Sequence, residues 1–316
     1  MRKSLTVALG LLLAAGMTTP ARAATVDPLI SAKGTVAFQA ADNRLWVTGI
    51  TANGKSLNLD MMPGTSPAIS PGTGQTTVLT GTVVFQGSNG DLWAAAAGST
   101  ASKDHGVPMA PGTNASITTD GARVAFQHAN GDLWTTDGRS PVDTGRAMAP
   151  GTSPSAGTAS RMAFQGADGF LWTLSGGRTS YAMAPGTSPA ISQDGVIAFQ
   201  GATGTLWIIR VGGATTDTGY RMAPGTSPGM STMSKDWDLT RIAFQGDDGQ
   251  LHTTAASVNR LNKDWGFDMM AGTSPTVSSD GARMAFHGAN GHLQTMSEND
   301  TRRDLGYVLA AGTSPG

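Results

Sequence analysis

A tryptophan stands seven residues after a glutamine five times over: Gln39 and Trp46, Gln86 and Trp93, Gln127 and Trp134, Gln165 and Trp172, Gln200 and Trp207. In two further copies the pair becomes Gln245 with His252 and His287 with Gln294. A flat indole beside an amide suits a sugar: the ring covers an apolar C–H face, and the amide donates to and accepts from hydroxyls. Five such pairs would make a multivalent binder whose weak single sites add through avidity. The same residues have a structural use, with Trp filling the gap between repeated units and Gln satisfying backbone groups of an adjacent linker. Both readings hold together where only the outer edge of each pair is exposed.

Other chemistry is thinly supported. The Gly-Thr-Ser-Pro segments lack the strand-to-helix turn of a Gly-x-Ser-x-Gly nucleophile elbow. The five histidines (His105, His128, His252, His287, His292) show neither His-Glu-x-x-His nor cysteine partners, and no Asp/Asn run has calcium-loop spacing. Ser-x-Asp-Gly occurs at Ser192 and Ser278 without the Thr-Trp that completes a sialidase-type Asp box. No catalytic residue, metal or cofactor is expected. Trp237 and Trp265, each in a Lys-Asp-Trp triplet outside the repeat, are candidate protein contacts, weighed against packing of a longer loop.

The elements that position these residues follow from the repeat itself. An aromatic marker falls at Phe38, Phe85, Phe126, Phe164, Phe199, Phe244 and Phe286. A Gly-Thr marker follows in each unit, at Gly64, Gly112, Gly151, Gly186, Gly225, Gly272 and Gly312. A period near ~40 residues points to a propeller or solenoid. The fifth copy divides into four short strands, at 188–192, 196–200, 205–209 and 219–223, each bounded by turn formers. Nothing shows a sustained helical period. Four antiparallel strands per unit, seven times over, predict an all-β, seven-bladed β-propeller, whose ring protects most strand edges.

Residues 27–31 align with the first strand of the fifth copy, so blade one is expected to begin there, with the tail 312–316 docking beside it and no strand exchanged. Alternating strand directions put the Asn-Gly and Asp-Gly turns and the Met-Ala-Pro-Gly-Thr-Ser-Pro linkers on one rim. The opposite rim receives Gln193-Asp194-Gly195 and residues 234–240. A two-residue type I′ turn at Asn89 and Gly90 pairs Gln86 with Trp93 across the strands and turns Phe85 and Leu92 to the other side. Met61, Met109, Met148, Met183, Met222, Met269 and Leu309 precede the linker glycines as core filler. A recurring Asp-x-Gly (Asp104, Asp143, Asp217, Asp264, Asp304) opens the fourth strand as a backbone-shaping turn.

Residues 1–23 read as an export signal: basic Met1-Arg2-Lys3, an apolar run from Leu5 to Ala15, and Ala21-Arg22-Ala23 as cleavage site. Residues 24–316 then form one domain, secreted and extracellular, with no later apolar run long enough to span a membrane. With no cysteine, burial alone must hold the fold. Without Arg2, Lys3 and Arg22 the balance is 18 basic to 22 acidic side chains, which does not suggest a nucleic-acid or anionic-membrane surface.

The Met-Ala-Pro-Gly-Thr-Ser-Pro linker followed by Ala-Phe-Gln-Gly and Asp-Gly-x-Leu-Trp resembles the repeats of exported actinobacterial propellers related to tachylectin-2-type lectins, across essentially the whole chain after the signal. That resemblance implies glycan binding at several equivalent sites. The plan is also similar to secreted Streptomyces propellers of the dispase autolysis-inducing type. These imply the rival function: a partner of a secreted metalloprotease or other extracellular protein, and a transglutaminase glutamine substrate through residues such as Gln39 and Gln127, if exposed.

Overall fold

The computed structural model describes residues 35–49, 53–70, 81–231, 240–257, 263–297 and 301–316. The signal segment, residues 27–31, residues 234–239 and Trp237 lie outside them. Every strand pairing is antiparallel, in seven sheets arranged as a seven-bladed β-propeller. Blade one contributes β1 (Thr35–Gln39), β2 (Arg44–Gly49) and β3 (Lys55–Asp60). Blade two is complete, with β4 (Ala68–Ile69), β5 (Thr82–Gln86), β6 (Asp91–Ala96) and β7 (Ser102–Pro108) side by side in that order, and the other five blades repeat this plan.

Composition grades across each blade. The second strand, Thr-Val-Val-Phe-Gln in β5, is buried at four of its five positions because neighbouring blades cover both faces. The outer strand β7, Ser-Lys-Asp-His-Gly-Val-Pro, is mostly exposed and polar, which suits a sheet edge facing water. Hydrophobic clusters therefore form between blades. One joins Leu57 and Met61 of blade one to Val83 and Phe85 of blade two. Another joins Phe38 and Ala40 of blade one to Ala285, Leu293 and Leu309 of blade seven, closing the ring. The Met and Leu residues before the linker glycines are almost wholly buried, as the sequence predicts.

The linkers hold the ring in a way the sequence does not announce. Thr65 donates its hydroxyl to the Met62 carbonyl at 2.7 Å, and Thr113, Thr152, Thr187, Thr226, Thr273 and Thr313 repeat the bond. The next residue reaches the neighbouring blade. The Ser66 backbone N–H donates to Asn114 Oδ1, Asn114 to Ser153 Oγ, and so on through Ser188, Ser227, Ser274 and Ser314. Ser314 then donates to Ser66 Oγ at 2.9 Å, so the seven links form a closed belt.

The tail departs from expectation. Gly316 exchanges two backbone hydrogen bonds with Ala37 in β1, at 3.2 and 2.9 Å. Ala37 is the counterpart of Val84, which pairs with Ala68 of β4 in blade two. Gly316 therefore takes a backbone position on the inner side of β1, where the sequence alignment put residues 27–31, and ties the end of blade seven to blade one. The fourth strand also differs. In the fifth copy it runs over Thr215–Arg221, earlier than 219–223, because Asp217-x-Gly219 forms a bulge inside the strand. Among the described residues no helix is long and apolar enough to cross a membrane.

Candidate functional site

The turns and linkers share one rim, as expected: the Met109 N–H donates to the Gly90 carbonyl at 3.0 Å, and equivalent bonds recur from Met61 to Leu309. The turn itself is not the two-residue type. Gly87 donates to Asp91 and Gly90 donates to Gly87, enclosing a three-residue loop with only Gly90, at φ 88°, in the left-handed region. Asn89 keeps negative φ and uses its side chain instead, accepting the Asp91 N–H at 3.2 Å. Blade one has no glycine here, and Asn43 takes the left-handed position at φ 60°.

One extra loop residue shifts the register by one, and this corrects the expected pair. Phe85 lies opposite Trp93, and Gln86 lies opposite Leu92. The same register holds in every blade, through Phe286 opposite Gln294. Facing residues on an antiparallel pair share a side, so Phe and Trp form one layer and Gln and Leu the other. Ring centroids of Phe85 and Trp93 are 6.3 Å apart.

The glutamines face inward. Gln39, Gln86, Gln127, Gln165, Gln200 and Gln245 are at most 1% exposed. Each sends its Nε2 to a linker carbonyl: Gln39 to Met62, Gln86 to Met109 and Ala110, Gln127 to Ala149, Gln165 to Ala184, Gln200 to Ala223, Gln245 to Met270. His287 takes over this task in blade seven through Nδ1 and the Thr313 carbonyl, 2.9 Å apart. The Gln side chains thus do what the structural reading asked of them. Gln39 and Gln127 fail the condition of exposure that a crosslinking enzyme requires.

The tryptophans lie half-buried between blades. The previous blade's outer strand covers them: Tyr307 sits 6.1 Å from Trp46, Tyr181 5.9 Å from Trp207, and the Arg146 guanidinium 5.7 Å over Trp172. Gly87 is glycine because a Cβ there would collide with the Trp93 ring. In blade three His128 replaces that glycine and stacks on Trp134 at 4.2 Å. Trp93 donates its indole N–H to Asn89 Oδ1 at 3.0 Å and Trp172 to Asp168 Oδ1 at 2.9 Å, whereas the indole nitrogens of Trp46 and Trp134 are buried without an acceptor. Trp207 donates to Thr205. Trp265 is half-buried in the outer strands of blade six, donating to Thr253 at 3.0 Å under the Lys263 ammonium, which favours the packing reading.

Polar side chains of the turn and the bulge gather on this rim beside the indoles of Trp93 and Trp172, and most of them were not singled out from sequence. The Asp of Asp-x-Gly does shape the backbone, as expected: Asp104 Oδ1 accepts the Gly106 N–H at 2.8 Å. Its second oxygen faces the turn, where Asn89 Nδ2 donates to Asp104 Oδ2 at 2.9 Å and to Asp91 Oδ2 at 3.1 Å. Asn130 repeats this with Asp132 and Asp143, and Asn290 with Asp304. In blade four Arg178 stands at the bulge and donates to Asp168 Oδ2 at 2.6 Å. Burial raises the Asp168 carboxyl, but bonds from Trp172, Arg178 and the Phe170 N–H hold it net below the usual carboxylate range. Asp248 and Asp304 are likewise net lowered, burial being outweighed by backbone and histidine hydrogen bonds. The signal available in sequence was the Asp-x-Gly recurrence, whose outward oxygen is invisible without the bulge.

No family model matches the chain, and no curated protein matches it in sequence. Solved structures do. A SapL1 lectin in complex with alpha methyl fucoside is 16% identical with TM-score 0.48, over 89% of this chain and 97% of that one. A chain of the mitotic checkpoint complex is 14% identical with TM-score 0.53, over 96% and 91%. The GH74 enzyme of Niastella koreensis is 10% identical with TM-score 0.52, over 90% of this chain and 43% of that one. At such identities the likeness is one of fold.

Proposed function

We propose that this chain is a secreted, non-catalytic propeller that binds carbohydrate at several equivalent places along the rim carrying the turns and linkers. One observation supports the reading above the others: a half-buried indole whose N–H meets a rim amide or carboxylate recurs, in Trp93 with Asn89 beside Asp91 and Asp104, and in Trp172 with Asp168. An apolar plate bordered by donors and acceptors matches the two-sided surface of a pyranose. Within this reading the Trp residues contact the ligand, the rim Asn and Asp groups orient it, and the buried Gln residues hold the linkers that space the sites. Several shallow sites on one rigid ring favour multivalent glycans over single sugars.

A glycan array with wild type and the double variant Asp104→Asn, Asp143→Asn tests it. Asn keeps the acceptor for the Gly106 and Gly145 N–H groups, so folding is preserved while two carboxylates are lost. Wild type should retain a defined glycan class, and the double variant should bind it about tenfold more weakly, a loss near ~1.4 kcal/mol. Folded wild type that binds no glycan defeats the proposal. The rival, a metalloprotease partner and glutamine donor, loses Gln39 and Gln127 to burial and would have to use a surface glutamine such as Gln193.

A further inference from the structure

The seven rims fill the same two facing slots, one on the turn and one on the bulge, with different pairs. Blade two sets Asn89 against Asp104, blade three Asn130 against Asp143, and blade seven Asn290 against Asp304. Blade four sets Asp168 against Arg178. Blade one has Asp42 and Ser56 in these positions, and blade five Thr203 and Asp217. In these six blades at most one member of the pair is a carboxylate, and in four of them an amide or guanidinium donates across the gap.

Blade six alone has carboxylates in both slots, Asp248 and Asp264. There His252 stands where five blades carry Trp, its Nε2 at 3.0 Å from Asp248 Oδ2. Trp has a single ring N–H that can only donate, whereas a neutral imidazole offers a lone pair. One ligand atom from each of Asp248, His252 and Asp264 lies within 4.8 Å of the other two. The backbone holds the carboxylates in place: Asp248 Oδ1 accepts the Gln250 N–H at 3.0 Å, and Asp264 Oδ1 accepts the Gly266 N–H at 2.8 Å. A strand pair and a tight turn thus aim an imidazole and two carboxylates at one point.

We propose that Asp248, His252 and Asp264 form a binding site for a divalent first-row transition metal, Zn2+ being the best match, on the rim of blade six. Imidazole nitrogen with carboxylate oxygen is a zinc-type donor set, while Ca2+ and Mg2+ take oxygen ligands in larger number. Zinc holds nitrogen and oxygen ligands at ~2.0 to 2.2 Å, so the half-exposed Asp side chains must close inward by about 1 Å. Three protein ligands leave a coordination position for an external oxygen. The site is separate from the sugar reading: it arises where the indole has been replaced.

Titration calorimetry of tag-free protein with Zn2+ tests this, alongside His252→Trp, Asp264→Asn and His292→Gln. His252→Trp installs the residue that blades one to five carry, and Asp264→Asn keeps the acceptor for the Gly266 N–H, so both should fold. Wild type is expected to take up one Zn2+ per chain and to melt higher with the metal than without it. His252→Trp and Asp264→Asn should each weaken binding at least tenfold, and His292→Gln should leave it unchanged. No Zn2+ uptake by wild type at ~100 μM, about 5.5 kcal/mol of binding, overturns the proposal, leaving His252 as a hydrogen-bond partner of Asp248 only. Binding unchanged in His252→Trp, or lost in His292→Gln, overturns it equally.

Discussion

The inner belt and the outer rim are built from the same seven repeats and follow opposite rules. On the belt the residue after each linker Thr is Ser in six units and Asn114 in the seventh, and each passes one hydrogen bond to the next blade. On the rim the slots hold Asn, Asp or Thr at the turn, Trp, His or Gln on the strand, and Asp, Arg or Ser at the bulge. A belt link serves two blades at once, so a misfit propagates around a circle that must close. A rim side chain answers to its own hairpin and to water, where substitutions cost little. Sameness therefore marks what closes the ring, and variation marks where blades can acquire separate chemistry.

The comparison is broken most severely at the tail. Removing residues 312–316 takes away the Gly316 bonds to Ala37 and two belt links, and should cost roughly 3 kcal/mol or more at about 1 kcal/mol per hydrogen bond, seen as a lower urea midpoint. Next, Gln86→Leu leaves the Met109 carbonyl buried without its donor, while the Ala110 carbonyl keeps the Thr113 hydroxyl, and should cost about 1 to 3 kcal/mol. His287→Gln restores the repeat's own solution and should stay within about 0.5 kcal/mol of wild type by the same measurement.

Acid provides a milder test, because the belt links are hydroxyl, amide and backbone groups while the turns carry carboxylates. The Thr118 hydroxyl and the Ala122 N–H hold Asp120 below the usual range. Burial raises Asp280, but Ser278, the Ala282 N–H and Arg283 bring it net below. A lowered folded pKa stabilises the folded state fully above the unfolded value and loses that contribution as pH falls through the folded value. Melting should therefore drop as pH falls below about 4, and the double variant Asp120→Asn, Asp280→Asn should flatten that drop. Moving blade four's pair into blade two, Asn89→Asp with Asp104→Arg, should likewise be tolerated, staying within about 1 kcal/mol of wild type by denaturation.

Much of the architecture was legible from periodicity. Two markers gave seven units, and the buried Phe and Met positions followed from them. The register was not, because Asn-Gly serves both a two-residue turn and a three-residue loop. The two differ in whether Asn89 or only Gly90 takes positive φ, which residue type does not decide. That single residue moved Trp93 from Gln86 to Phe85 and turned the glutamines from candidate ligands into linker anchors. The belt was hidden for another reason: Ser153 meets Ser188 only once the blades stand in a ring, so its bond has no local signature. The Asp248, His252 and Asp264 cluster likewise needs the bulge that brings the fourth strand's carboxylate beside the turn.

Each belt residue hands its N–H forward and receives one from behind, always in the same sense around the axis. Such a circle has a direction but no first member, and the link from Ser314 to Ser66 matches the five others that end on a serine hydroxyl at 2.9 Å. The molecule can therefore be recut: joining the ends through a short connector and opening the chain in any inter-blade linker away from the belt residue should give a circular permutant with the same ring. The belt also acts as a counter, since its links are satisfied by seven blades and an inserted eighth would have to stretch every one of them.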